Sequence, residues 1–422
     1  MSDKNNNDED AAAAAVSPPH MKKQKKQEDE DDDRRRQPPV SSVPILVDWK
    51  EFINASPTVD VSKDTSATAT LLLDTQSLLG EGIIYDDVKN EIVWCDILGK
   101  KFHKLDMKTG THTSYQLPHR MIGSFGLLST STSTTTTKDD NEDDKQKYDG
   151  AYLVAWEDGF QIVNLTTMEE LTPMSVGVNN GEVVNPIGLP TRLNDGRCDP
   201  TGLHYICGGY FGELQDVTMK VFSCQWKDNN DDNDADATSK TTKTTINSKT
   251  LIHEPILDNI KVTNSLCFSP DGNTMYFADS PTKEIVAYDY NLDNVDGQTT
   301  TTDLLSNKRL VHKVDLKDAV PDGSCVDSDG YIWNAIWWNG IQTSRVRRID
   351  PNTGKVVFEV NMPDGTSRVS CCCFGGSNLD ILFITTAAVG DDTDEKKEPH
   401  AGGIYAIKLA GVKGKLEYRF QV

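Results

Sequence analysis

Four residues with oxygen-bearing side chains recur in one local setting: Glu81 in LLGEGIIY, Asn194 in RLNDGR, Asn264 in VTNSLCFSPDG and Asp322 in VPDGSCVD. Each stands at the start of an apolar segment and has Gly or Ser within two positions after it. Two carboxylates and two amides offer oxygen only, which suits a hard cation such as Ca2+, Mg2+ or Mn2+ better than a Cys/His zinc centre. Arg192 and Asp195 flank Asn194 in the same run. Asn-Asp-Gly alone is ordinary turn chemistry, so these residues form a site only if the fold brings distant segments together.

The elements that would do so repeat. IIYDDVKNEIVWCDILGKKFHKLDMKTG (83–110), CFSPDGNTMYFADSPTKEIVAYDYNLD (267–293) and CVDSDGYIWNAIWWNGIQTSRVRRIDPNTG (325–354) share one pattern of apolar strand, polar turn, apolar strand, turn and alternating strand. Weaker copies lie at DGAYLVAWEDGFQIVNLTT, at RCDPTGLHYICGGYFGE with MKVFSCQWK, and at FGGSNLDILFITTAAV with GGIYAIKL. Six units at roughly 40–50 residues fall in the propeller range. A small antiparallel sheet cannot cover both its faces, and stacking such sheets around an axis covers them. The expected fold is therefore an all-β, six-bladed β-propeller spanning 43–422. In it, acidic and amide residues at the start of successive blades converge on the central channel.

Composition limits the partners. The 422 residues include 65 acidic and 43 basic side chains, a formal charge of −22, which disfavours nucleic acid and anionic membranes. No apolar run approaches the ~18–20 residues of a membrane span, and the N-terminus lacks an apolar core behind a basic start. A cytoplasmic monomer is expected, with the Lys22–Lys26 and Arg34–Arg36 blocks as the alternative of a nuclear address. The nine cysteines read as reduced structural thiols, with Cys371, Cys372 and Cys373 on a buried strand edge. The tail 1–42 and the insertions 129–148 and 227–250 are too polar to offset their ordering entropy and read as disordered.

The ordered motifs GEGxxY with VWCDI, RLNDGRCDPTG, TNSLCFSPDG with MYFADS and AYDY, VPDGSCVDSDGYIW, RIDPNTGK, CCFGG and AGGIYAI resemble the SMP-30/gluconolactonase/luciferin-regenerating-enzyme family over about 77–415. That resemblance implies the same six-bladed fold and one divalent ion (Ca2+, Zn2+, Mn2+ or Mg2+) held by Glu81, Asn264 and Asp322. It further implies substrate contacts from Arg192, Asn194 and, if one residue is inserted in CGGYFGEL, Glu213. The implied activity is hydrolysis of a gluconolactone-type sugar lactone to its aldonic acid, with the metal polarising the carbonyl and Asp322 as general acid/base. The family's Ser-Asn-Gly at the central ligand is here Thr263-Asn264-Ser265, so a Ser side chain is expected to narrow the site. A non-enzymatic calcium-binding role and an organophosphate-hydrolysing or strictosidine-synthase-like propeller stand as alternatives.

Other motifs give bland readings. The stretches at Asp327–Gly330 and Asp293–Gly297 lack the first acidic ligand of a calcium loop and read as turns. Of Trp333, Trp337 and Trp338, at least two are expected in the core, and His103 is expected to be an exposed strand residue.

Overall fold

The computed structural model describes residues 42–117, 120–129, 147–178, 184, 189–229, 249–291, 304–338, 344–363, 366, 368–388 and 398–422. The tail 1–42 and the two insertions lie outside these apart from their edges, as does the Asp293–Gly297 motif. At one edge the expected boundary shifts: strands Met219–Asp228 and Lys249–Ile260 pair as far as Asp228 with Lys249, so hairpin register continues into the polar insertion.

Six sheets of four or five strands follow one another along the chain and form a six-bladed β-propeller. Their innermost strands are Gly80–Asp86, Ile122–Ser129, Arg192–Cys198, Thr263–Phe268, Ala319–Val326 and Val369–Gly375, heading blades I to VI. Alternation along each strand sends successive side chains to opposite faces. Ile92 and Trp94 join the cluster between blades I and VI, whereas Val93 and Cys95 join the cluster between blades I and II. One such apolar cluster fills every blade–blade interface around the ring. Cys371 and Cys373 alternate with Cys372 in the same way, and all nine cysteines are buried and free.

Blade VI receives only three strands from the C-terminal part of the chain. Its fourth is Thr70–Leu73, which pairs antiparallel with Ile404–Ala410, Leu73 facing Ile404 and Thr70 facing Ala406. The ring is thereby closed by the segment that precedes blade I. A helix, Trp49–Ala55, leads into that segment and buries Trp49 and Phe52 on the same apolar cluster, its first turn capped by Asp48. At the other end of the chain, Phe420–Gln421 pairs parallel with Leu128–Ser129 of blade II.

Candidate active site at the mouth of the channel

All six innermost strands carry a β-bulge near their first residues. A bulge adds an unpaired residue and re-aims the local side chains. Glu81 and Asn264 immediately precede the extra residues of their strands, and Asn194 and Asp322 are among them. In blades II and VI the corresponding residues are Gly123 and Ser370. A Cβ at Gly123 would lie 2.3 Å from the Leu193 carbonyl oxygen, so no side chain fits there. Ser370 is turned into the blade interface, donating to the Gly80 carbonyl and lying 3.0 Å from Thr385 Oγ1. The register thus leaves four blades to furnish the channel mouth.

Glu81, Arg192, Asn194, Glu213, Asn264 and Asp322 all line one cavity of about 750 Å³. One hydrogen-bonded chain orients its polar floor. Arg192 lies over the Tyr210 ring at 4.6 Å, and its Nη1 donates to the Leu193 carbonyl at 3.1 Å and to Asn194 Oδ1. Asn194 Nδ2 donates to the Thr263 carbonyl at 2.8 Å and to Asn264 Oδ1 at 3.2 Å. Asn264 Nδ2 donates at 2.8 Å to Ser280 Oγ, which donates at 2.7 Å to the Pro321 carbonyl. These donors fix which end of each amide is oxygen. Asn194 Oδ1 accepts from Arg192 and Asn264 Oδ1 from Asn194, so each amide oxygen keeps a second lone pair for another partner.

The electrostatics of the floor are unbalanced. Burial, reinforced by the charge of Asp195, pushes Glu81 up to about 8 against the Gly82 amide and Arg192. Burial, with Glu81 as the next cause, also pushes Asp322 well above the carboxylate range. Arg192 is held down by its own burial and favoured by both carboxylates. Two buried carboxylates that repel one another, beside an amide oxygen fixed in place, are a donor set that a hard divalent cation fits. Among the described residues no three His, Cys, Asp or Glu side chains group closely enough to hold a metal ion, so the amide of Asn264 is needed to complete any set here.

Ser265 departs from its expected placement. It takes a left-handed conformation (φ 56°) like Gly82 (φ 60°), and its side chain is fully buried behind the site. Its Oγ donates to the Asp322 carbonyl at 2.7 Å and accepts from Asn334 Nδ2 at 2.9 Å, so it braces Asp322 and does not narrow the cavity. Glu213 also has positive φ (58°), an unfavourable setting for a side chain with a Cβ that recurs at ligand sites.

Asp195 points inward, its Oδ2 accepting from the Leu266 amide at 3.0 Å and its Oδ1 lying 3.8 Å from Arg197 Nη1. Trp333 and Trp338 are core residues, whereas Trp337 lines the cavity. Asp327 organises a turn, accepting from the Asp329 and Tyr331 amides and pairing with Arg348 at 2.8 Å. His103 is corrected: it is buried, stacked on Trp94 with centroids 5.0 Å apart and hydrogen-bonded to His112 at 3.1 Å. The surrounding Lys residues give the stretch a solvated look, yet His103 shares its strand face with the buried Leu105 and stacks on Trp94. Two contributors were missed, Tyr210 and Ser280. Their signal lay in the segments CGGYFGE and MYFADS, Tyr210 as the last residue of the second strand of the blade that supplies Asn194 and Ser280 just past that of the blade that supplies Asn264.

Similar proteins share this arrangement of strands. The chain is 26% identical over 343 residues to regucalcin of Gallus gallus, covering 81% of this chain and 94% of that one. It is 27% identical over 344 residues to the putative sugar lactone lactonase YvrE of Bacillus subtilis, with the same 81% and 94% coverage. A solved structure of regucalcin from Agrobacterium tumefaciens, described as a calcium-binding protein, superposes with a TM-score of 0.61 at 21% identity, covering 87% of this chain and all of that one. The family model for the SMP-30/gluconolactonase/LRE-like region matches residues 79–388, a span that contains every bulged inner strand. The chain therefore belongs to the SMP-30/gluconolactonase/LRE-like family.

Proposed function

We propose that the protein is a divalent-metal-dependent lactonase that opens gluconolactone-type sugar lactones to aldonic acids. The observation that supports it best is the convergence of two buried carboxylates and an oriented amide from three blades on the floor of one cavity. Glu81, Asn264 and Asp322 would hold the cation, which when bound supplies Lewis acidity toward the lactone carbonyl. Arg192, Asn194 and Glu213 would position the substrate, with the guanidinium of Arg192 stabilising the oxyanion as it develops. Asp322 takes a proton from the attacking water as its oxygen bonds to the carbonyl carbon. It returns that proton to the ring oxygen as the ester C–O bond breaks, so water and lactone yield one hydroxy acid.

The test is hydrolysis of glucono-1,5-lactone followed by acid release. Turnover should stop in EDTA and return with added divalent metal. Asp322→Asn should lower kcat by about a hundredfold or more while leaving the melting transition cooperative.

A second reading is a non-enzymatic calcium-binding protein. It is favoured by the regucalcin relatives and by an all-oxygen donor set that leaves further coordination to water. Tight calcium binding without turnover of any lactone would select it.

A further inference from the structure

The cavity is divided in kind. Its floor is polar, but an apolar wall is lined by Leu79 and Leu98 of blade I, Met121 of blade II and Trp337 of blade V, with Phe211, Val262 and Pro281 adding apolar surface on the side of blades III and IV. Met121 and Trp337 both pack on the cluster that contains Leu79. Leu98, at the rim, keeps 41% of its surface exposed. On the floor, Arg192 Nη1 and Asn194 Nδ2 are committed to Asn194, to backbone carbonyls and to Asn264, and these bonds leave the other N–H groups of the Arg192 guanidinium for a ligand.

Two consequences follow from simple chemistry. A polyol lying along this wall would bury hydroxyls that find no partner there, and an unpaired buried hydroxyl is costly. An alkyl or aryl group in the same place would cover Leu98 and Met121 and gain from their removal from water. The volume of about 750 Å³ is several times that of a bare lactone ring and lies in the range of ~300–1,000 Å³ typical of sites for larger ligands.

We infer that the site takes lactones whose ring carries an apolar substituent of several carbons, laid along Leu79, Leu98, Met121 and Trp337 while the ester faces Asp322 and Arg192. The inference rests on the lactonase reading, keeps its bond cleavage, and extends its substrates from sugar lactones to lactones that carry an apolar arm. The bond broken and the proton path are those given above, and the substituent takes no part in the chemistry.

The experiment compares kcat/KM of the full-length, metal-supplemented protein for δ-decalactone, δ-valerolactone and glucono-1,5-lactone. δ-Decalactone should exceed δ-valerolactone by about tenfold or more, the scale of a few methylenes in an apolar pocket. Leu98→Asn and, independently, Met121→Gln should bring that ratio toward one through KM, with circular dichroism verifying the fold of each. Turnover of gluconolactone with no advantage for δ-decalactone would overturn the inference and leave the lactonase reading standing. A preference unchanged in both variants would overturn the assigned wall. Failure to open any of the three lactones with any divalent metal would overturn the lactonase reading and the inference with it.

Discussion

Arg197→Met removes the one buried cation described below the channel mouth and leaves its partners in place. Arg197 Nη1 lies 3.8 Å from Asp195 Oδ1 and its Nε 3.5 Å from Glu417 Oε1, with side-chain exposures of 2%, 4% and 20% for Arg197, Asp195 and Glu417. The guanidinium also donates to the carbonyls of Gly196 at 3.2 Å and Ser324 at 3.4 Å, tying blade III to blade V. Methionine fills a similar volume, so the loss is electrostatic more than steric. Stranding a buried charge costs about 3–5 kcal/mol. With an unfolding entropy near 2.1 cal/mol/K per residue, that corresponds to a fall of roughly 4–6 °C in Tm for a chain of this size. Urea unfolding followed by circular dichroism and tryptophan fluorescence measures it. Asp195→Asn added to Arg197→Met should restore about 1–3 kcal/mol, because the stranded carboxylate is gone. A loss below about 1 kcal/mol, or a double variant no more stable than the single, would refute the assignment of Arg197 as the counter-charge that Asp195 requires.

Further predictions concern the bulges, the ring closure and the buried histidines. Gly123→Ala should destabilise the protein by several kcal/mol, because its Cβ would meet the Leu193 carbonyl at 2.3 Å; a neutral effect in a thermal melt would contradict the bulge geometry. Ser265→Ala loses the bond to the Asp322 carbonyl yet keeps the left-handed backbone, so it should be about 1 kcal/mol less stable than Ser265→Gly, which relieves the strain. Deleting the chain through Asp74 removes the closing strand Thr70–Leu73, and cooperative unfolding should be lost in calorimetry. Burial, aided by Lys101, pushes His112 down to about 4, and burial pushes His103 well below its usual range. With an unfolded value of ~6.5, the unfolded chain takes up protons first, so stability is full above that pH and falls as pH drops toward 4, by on the order of 3 kcal/mol for His112. Unfolding free energies at pH 7 and 4.5 measure the slope, which His112→Gln should flatten.

Much of the site was legible because its cause is periodic. Glu81, Asn194, Asn264 and Asp322 share a local setting, and a bulge at the same point of each inner strand turns shared setting into shared position. What was not legible depends on contacts between distant segments. The closing strand is a short apolar run, TLLL, with no repeat of its own, and only the missing fourth strand of the last unit hints at a donor. Asp195 reads as a turn residue until Arg197, two positions on, is seen to share its face at the axis. The hydroxyl of Ser265 reads as an obstruction until its backbone conformation sends it behind Asp322. His103 misled because Lys100, Lys101 and Lys104 make the stretch polar, although both faces of its strand pack, Phe102 between blades I and II and Leu105 between blades I and VI.

The most direct test of the account is a metal titration of one protein preparation read in two ways. Isothermal calorimetry and gluconolactone hydrolysis are followed as metal is returned to EDTA-treated wild type, Glu81→Gln and Asp322→Asn. One equivalent of divalent ion should restore wild-type turnover, Glu81→Gln should weaken binding, and Asp322→Asn should lose turnover even at saturating metal. Full lactonase activity in EDTA, or an active Asp322→Asn protein, would rule out metal-dependent hydrolysis through Asp322.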